Sequence, residues 1–173
     1  MMPDIEILVE LKNFLFPVGA AAAEPFHVRH MRFKETNSSL WPCLAIERLR
    51  VLTENNIQAG SEGEYSEAEE IYLLETRFHF DTALPTDDSE DDPTGFGVAS
   101  RMFRTCLESL FPESPAAGTI ETLGGRIIDI RYDGTDETPD YENVSTSDYV
   151  RLVETMVFVY RVRSDRPHIL LKG

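Results

Sequence analysis

The segment Glu70–Phe80 reads EIYLLETRFHF, and its side chains alternate between two faces. One face carries Tyr72, Leu74, Thr76, Phe78 and Phe80, and the other carries Glu75, Arg77 and His79. Because successive side chains of a strand point to opposite sides, this alternation predicts a half-buried β-strand. Its start is apolar on both faces, so we expect that end to lie deep in a sheet or in a contact.

The segment Thr94–Leu110 predicts an amphipathic helix. Its apolar residues recur at helical spacing and form one stripe: Phe96, Ala99, Met102, Phe103, Cys106, Leu107 and Leu110. Asp92 and Pro93 fit an N-cap followed by proline at the first helical position, and Pro112 ends the helix. We expect this helix to pack on the Glu70–Phe80 strand and to form the core with it.

The bulk composition indicates one folded domain that spans residues 1–173. The chain is 42% hydrophobic, and this length allows a sizeable core. It contains no apolar run of about 18 residues, so we predict no membrane span. Met1–Phe16 includes three acidic residues and lacks the basic start of a signal peptide, which predicts a cytosolic site of synthesis.

Asp4–Phe16 predicts a first helix, with Pro3 before it and Pro17 after it. Its apolar residues cover more than half of the helix circumference, which is wider than a surface helix needs. Either the helix is buried within the chain, or it packs on its own sheet and on a neighbouring subunit. The candidate interface residues of the second interpretation are Ile7, Leu11 and Phe14.

Phe26–Lys34 alternates apolar residues with histidine, arginine and lysine, which is typical of an edge strand or a hairpin arm. Its charges protect an edge strand from aggregation, or they contact a partner or nucleic acid through Arg29, Arg32 and Lys34. The pair His27 and His30 has no third metal ligand near it in sequence. We therefore predict no metal here, and we expect Cys43 and Cys106 to be buried thiols.

Further strands are predicted at Cys43–Leu52, Arg126–Tyr132 and Tyr149–Arg163. The last of these is apolar on both faces near its middle, so we expect it to lie centrally in the sheet. The basic and then apolar segment Ser164–Gly173 predicts a tail that is flexible or docked on a partner. This order predicts an α+β fold with a mostly antiparallel sheet of about four to six strands and two main helices packed on one face.

The formal net charge is −15, and it is unevenly distributed. The net charge of Gly60–Asp92 and Glu121–Asp148 together is more negative than that of the whole chain, because the remaining residues are slightly positive. We predict long acidic loops at about residues 53–66, 84–92 and 133–148. The second loop contains Asp87, Asp88, Glu90, Asp91 and Asp92. These acids lack the spacing of a calcium loop, so they are interpreted either as solvated loops or as a surface that repels DNA.

Motifs of known enzyme classes are missing from the sequence. Gly95-Phe96-Gly97 precedes a helix but does not directly follow a strand, as a pyrophosphate-binding turn would. The chain contains no GxSxG, GxxxxGK[ST] or HExxH pattern. We therefore expect no catalytic residues, no cofactor and no metal.

Four parts of the chain follow one another in the order of a known structural family. An N-terminal helix opens the chain, and a proline-led strand follows at Trp41–Ile46. The strand Glu70–Phe80 then precedes the helix Thr94–Leu110, and Tyr149–Val162 forms a long last strand. This order resembles the tail-terminator and tail-completion proteins of long-tailed bacteriophages, which take part in head–tail joining.

The resemblance implies a structural virion protein at the tail–neck junction, assembled in the host cytoplasm. It implies a homo-oligomeric ring, usually hexameric, that caps the tail tube and contacts tube, sheath and neck proteins. The acidic loop of Asp87–Asp92 would line a lumen through which DNA passes without specific binding. Two alternatives stay open: another neck connector or tail-tube component, and a non-viral acidic cytosolic adaptor that binds a basic partner.

Overall fold

The computed structural model describes residues 1–31, 40–53, 69–83, 96–112, 123–135 and 149–172. The parts of the predicted loops at residues 54–66, 84–92 and 136–148 lie outside these ranges. The helices and strands follow in the order α1 (Pro3–Ala21), β1 (His27–His30), β2 (Cys43–Thr53), β3 (Glu69–Ala83), α2 (Gly97–Leu110), β4 (Asp129–Thr135), β5 (Tyr149–Arg163) and β6 (Arg166–Leu170).

All six described strands form one mixed sheet in the order β1-β2-β3-β5-β4, with β6 also paired to β5. β1 runs parallel to β2, and every other pair is antiparallel. The α+β fold with a mostly antiparallel sheet is therefore confirmed. β1 also lies at an edge, as the charged segment around it predicts.

β5 lies in the interior of the sheet, as its apolar sequence predicts. It pairs with β3 from Tyr149 opposite Ala83 to Arg163 opposite Glu69. Its other side pairs with β4 and then with β6. The side chains from Met156 to Tyr160 are all buried, and β5 has strands paired along both of its sides.

α2 packs on the sheet through the stripe that its sequence predicts. Ala99, Met102, Phe103, Cys106 and Leu110 are buried, and the Phe103 ring lies 5.5 Å from that of Phe80. The predicted start of this helix is wrong. The helix begins at Gly97 with Phe96 in the N-cap position, so Asp92 does not cap it and no acidic residue lies in its first turn.

α1 is longer than predicted, because it continues through Pro17 to Ala21. A proline inside a helix removes one backbone hydrogen bond, but tertiary contacts hold the last turn. The Gly19 carbonyl accepts a hydrogen bond from the Phe26 backbone N–H at 3.1 Å. A methyl group on Gly19 would lie only 2.6 Å from the Phe26 carbonyl oxygen, so this crossing requires glycine.

Both helices cover the same face of the sheet. Ile7, Leu11 and Leu15 of α1 and the α2 stripe join one core cluster with the inward residues of the strands. These include Leu44, Ile46, Phe78, Phe80, Met156, Phe158 and Tyr160. Of the helices in the described ranges, none is long and apolar enough to cross a membrane.

Three further boundaries differ from prediction. β4 begins at Asp129, and the residue that enters the core before it is Ile127 and not Ile128, which is 45% exposed. β2 extends to Thr53 and β4 to Thr135, beyond the ends that the sequence predicts. The predicted C-terminal tail instead folds back as β6, where it pairs with β5 and places Leu170 against the core.

Candidate functional site

The face of the sheet opposite the two helices carries a network of ion pairs, which we call the ionic face. Cross-strand register sets Asp81 beside Arg151 and His79 beside Val153. The same register sets Cys43 beside Asp81 and Ala45 beside His79. The ion pairs of this face join Arg50 to Glu75, Arg151 to Asp81, Arg161 to Glu69 and Arg131 to Asp129, and a hydrogen bond joins His79 to Glu47.

The Arg151–Asp81 pair is the most buried of these ion pairs. Arg151 donates from Nε to Oδ1 of Asp81 at 2.6 Å and from Nη2 to Oδ2 at 2.9 Å. The two side chains are 7% and 1% exposed. Burial would lower the pKa of Arg151, but the Asp81 carboxylate outweighs burial and raises it. The guanidinium therefore stays charged, and the pair joins β5 to β3 near Tyr149, the first residue of β5.

His79 is fully buried beside this pair. Its Nε2 lies 2.7 Å from Oε2 of Glu47 on the neighbouring strand. Burial lowers the pKa of His79, whereas the Glu47 hydrogen bond opposes this shift. Because the shift is downward overall, the imidazole is neutral near pH 7.

The Cys43 thiol completes the buried part of the ionic face. Burial raises its pKa, and a hydrogen bond with Arg29 only partly offsets this effect. A thiol with a raised pKa is a poor nucleophile, because the thiolate is the reactive form. Cys106 behaves alike, since burial in the core raises its pKa to about 12. Both cysteines are free and buried, as predicted.

A second buried acid, Glu154, lies on the helix-covered face. Its carboxylate accepts hydrogen bonds from the Tyr132 hydroxyl at 2.6 Å and from the Thr135 hydroxyl at 3.0 Å. Glu154 is 4% exposed, and burial raises its pKa. Two hydroxyl donors only partly offset the cost of burying a carboxylate, so burial destabilises the ionised form of Glu154.

The outward side of α1 carries a third feature, an apolar stripe that the core does not cover. Met2, Ile5 and Phe16 are 56%, 40% and 50% exposed; helical spacing aligns Ile5 and Phe16 on one side, and Met2 lies at the N-cap before the helix. Lys12 lies over the Phe16 ring at 5.2 Å. We call this set of residues the α1 stripe. Exposed apolar stripes of this kind are typical of protein–protein contacts.

A groove of about 380 Å³ adjoins the end of the α1 stripe. Phe16 and Ala20 form one wall, and Phe26, His27 and Trp41 form the other. The Trp41–Pro42 peptide bond at its rim is cis. We call it the Trp41 groove, and its apolar lining suits side chains of a protein partner better than a charged ligand.

The predicted interface on α1 needs a correction. Ile7 and Leu11 are 0% exposed, and Phe14 is partly buried against the same core. A partner therefore cannot contact Ile7 or Leu11 directly. The wide apolar surface of α1 instead divides into a buried side and the α1 stripe.

The other predicted site residues fall in two groups. Arg29 lies half-buried in β1, where it contacts the Cys43 thiol. Arg32, Lys34 and the acidic residues Asp87, Asp88, Glu90, Asp91 and Asp92 lie outside the described ranges. The expected basic arm and acidic lumen loop thus stay predictions.

The prediction of negative charge in loops is only partly right. Glu69, Glu70, Glu75 and Asp81 lie on β3, where three of them pair with arginines of adjacent strands. Sequence reasoning placed Glu75, Arg77 and His79 on one polar face, which favours salt bridges there, but it missed the Arg151–Asp81 pair because Asp81 follows the last residue of the predicted strand. The available signal was the opposite charge that β3 and β5 carry at alternating positions.

Comparison with models of known protein families and with curated proteins finds no match for this chain. Within the part of the chain that the structure describes, no three His, Cys, Asp or Glu side chains cluster as metal ligands would. The geometry itself therefore carries the functional argument. Among the described residues it includes an internally paired ionic face and the uncovered α1 stripe.

Proposed function

We propose that this protein is a structural component of a phage virion, a tail terminator that caps the tail tube and joins it to the neck as a homo-oligomeric ring. The observation that carries the proposal is the α1 stripe. An α+β subunit that exposes apolar side chains along its first helix is suited to assembly with other protein surfaces.

The order of elements supports the same role. The chain opens with a helix, continues with three strands, and inserts α2 before the long strand β5. This is the order on which the resemblance to tail terminators rests. The described sheet also ends in two different edges, β1 and β4, which a ring of identical subunits can use for contacts between neighbours.

The charge of the chain fits a conduit for DNA. A net charge of −15 repels phosphate, so DNA passes such a surface without binding to it. The charges of the ionic face are largely paired with each other, so the excess of negative charge lies elsewhere in the chain. We propose that the acidic sequence of Asp87–Asp92 contributes to this repulsion.

Two measurements test the proposal. Multi-angle light scattering should give a mass of several times the 19.6 kDa chain, with six copies expected. In a tube-polymerisation assay with the tube subunit of the same virion, added protein should stop elongation and fix tube length. A strict monomer at high concentration that leaves tube growth unchanged would refute the role.

The acidic adaptor is the second candidate, and the net charge of −15 favours it. An adaptor would bind a basic protein as a monomer, with an affinity that falls steeply as salt screens the charges. Ring formation through apolar contacts persists in salt. Light scattering at low and high ionic strength therefore separates the two functions.

A further inference from the structure

We infer that β6 is an exchangeable strand: in the assembled protein, the segment Arg166–Lys172 of one copy docks on β5 and α1 of a neighbouring copy. We call Arg166–Lys172 the β6 segment. The inference rests on the proposed assembly of identical subunits and names one contact within it. It follows from how the β6 segment is connected to β5 and from where it is held.

The connection between β5 and β6 lacks the geometry of a stable hairpin. Only Ser164 and Asp165 separate the two strands. Two-residue hairpin turns normally have positive φ at the first loop residue, because such turns follow the twist of the strands whereas other turns splay them apart. Among the described residues, Leu123 is the only non-glycine residue with positive φ, so this turn is of neither preferred type.

The pairing of β6 with β5 breaks off directly after the turn. Two register pairs join the strands, Arg163 with Arg166 and Val162 with Leu170. The three residues between Arg166 and Leu170 have no register partner on β5, and the first of them, Pro167, has no backbone N–H to donate. The part of the β6 segment next to the turn therefore contributes little to holding it on its own chain.

The far end of the β6 segment makes the specific contacts. Leu170 packs against the core, and the Leu171 backbone N–H donates to the Arg161 carbonyl at 2.9 Å. Nζ of Lys172 lies 3.0 Å from Oε1 of Glu6 on α1. None of these contacts involves the turn, so any chain that brings the same residues to this place makes them equally well.

A second copy of the chain is the occupant that this geometry identifies, because the docking site already fits the β6 segment and every copy carries that segment. Exchange retains the contacts of the far end and gives up only the turn and the adjacent Arg163–Arg166 pair. Fully extended, the segment spans about 23 Å, which is long enough to cross a contact between subunits. The docking site also borders the α1 stripe, since Glu6 follows Ile5 in α1.

Disulfide formation tests the exchange. Because Leu171 lies opposite Arg161, cysteines at these two positions should form a disulfide wherever the β6 segment docks. The native Cys43 and Cys106 are 1% and 0% exposed and should not react in the folded protein. After mild oxidation, the double variant Arg161→Cys/Leu171→Cys should run as covalent oligomers on a denaturing gel. Co-expressed single variants should give covalent dimers, since they can form this disulfide only between two chains.

The products separate the inference from the proposed function. A ladder that ends at the number of chains found by light scattering supports exchange around the ring, whereas products that stop at a dimer support reciprocal exchange and refute the ring. If the protein is oligomeric but the double variant gives only an intrachain disulfide or free thiols, exchange is refuted and the proposed ring stands. A disulfide in either single variant alone overturns the inference, and a monomer at every concentration refutes both.

Two changes in the turn of this double variant have opposite expected effects. Ser164→Asn with Asp165→Gly supplies the residue pair that two-residue hairpins prefer, so the interchain fraction of the disulfide should fall by about fivefold. Deletion of Ser164 and Asp165 prevents the chain from turning back and should raise that fraction. Far-ultraviolet circular dichroism checks that the subunits remain folded. Equal interchain fractions in the parent and in both turn variants would overturn the inference.

Discussion

Arg151 on β5 holds Asp81 on β3 through two hydrogen bonds in the interior of the sheet, at 2.6 and 2.9 Å. The pair joins the two long strands near one end of their register, where Asp81 lies opposite Arg151. Such a bidentate pair fixes both the distance and the orientation of the strands. It is therefore a specific constraint on which residues of β3 and β5 face each other.

Removal of one partner of this pair should destabilise the protein strongly. Arg151→Leu leaves the Asp81 carboxylate buried without its counter-ion, and we expect a loss of about 3–5 kcal/mol in the free energy of unfolding. Urea denaturation measures it. As a control, Arg104→Leu breaks the exposed pair with Glu108 and should change stability by about 0.5 kcal/mol or less. A double variant with Asp81→Leu should recover part of the loss, and equal effects of the two arginine variants would contradict the buried role.

His79 should make stability depend on pH. Its pKa is lowered in the folded state by burial, against 6.5 in the unfolded chain, so the unfolded state binds more protons below pH 6.5. Stability should therefore be full above pH 6.5 and fall as the pH drops towards the folded-state pKa. Glu47, Asp81 and Arg151 surround the ring and set the size of this effect. Urea denaturation over a pH series measures this dependence.

The variant His79→Gln should flatten this dependence, because glutamine does not titrate. The matched control is His27→Gln, since His27 is exposed on β1. The control should retain the slope of the wild type. A wild-type slope that persists in His79→Gln would assign the dependence to another group.

Glu154 should contribute with the opposite sign. Burial raises its folded-state pKa above 4.5, so its favourable contribution is present below pH 4.5 and is lost as the pH rises through the folded-state pKa. Glu154→Gln removes the charge and should equal or exceed the wild type in stability at pH 7. The advantage should vanish below pH 4.5, and thermal denaturation at the two pH values measures it. A variant that is less stable at pH 7 would show that the hydroxyl bonds outweigh burial.

Gly19→Ala should destabilise the protein although alanine is the better helix former. The added methyl would lie 2.6 Å from the Phe26 carbonyl oxygen, and overpacking of this kind costs about 1–3 kcal/mol. Ala20→Gly, at the exposed next position, should cost only about 0.5–1 kcal/mol. Urea denaturation of both variants compares them. A stabilising Gly19→Ala would show that the end of α1 can move away from β1.

Charges in the α1 stripe should dissociate the oligomer without unfolding the subunit. Ile5→Glu and Phe16→Glu alter exposed side chains, so the melting temperature of the subunit should change little. The oligomer mass by light scattering should fall, because an unpaired charge opposes burial in an apolar contact. Leu11→Glu serves as the contrast, since Leu11 is fully buried and its substitution should unfold the chain. An unchanged oligomer mass in both exposed variants would remove the α1 stripe from the interface.

Much of the fold could be predicted from periodicity. The alternation in β3 and the apolar stripe of α2 reflect one-sided burial, which the local sequence records directly. Predicted and observed bounds of β5 agree, because Tyr149–Arg163 is bounded by acidic and turn-forming residues. The misplaced ends of α1 and α2 show the limit of local signals. Pro17 and Pro93 mark helix boundaries statistically, but packing decides whether a helix continues past them.

The candidate site could be predicted only in outline. The wide apolar surface of α1 favoured a second contact. The sequence did not show whether Ile7 and Leu11 or Ile5 and Phe16 would be exposed, because that depends on how the helix is rotated on the sheet. The ionic face depends on register, because Asp81 meets Arg151 across 70 positions of sequence. No local sequence pattern predicts a contact between residues so far apart in the chain.

The sequence by itself determined the class of fold, the central place of β5, the amphipathic α2 and the acidic character of the chain, because each of these follows from short-range periodicity or from composition. Only the tertiary structure decided that β1 runs parallel to β2, that the C-terminal segment returns as β6, and which side of α1 stays uncovered. These features arise from contacts between residues far apart in the chain. The free energy of such contacts depends on the packing of the whole domain, so local propensity cannot reveal it.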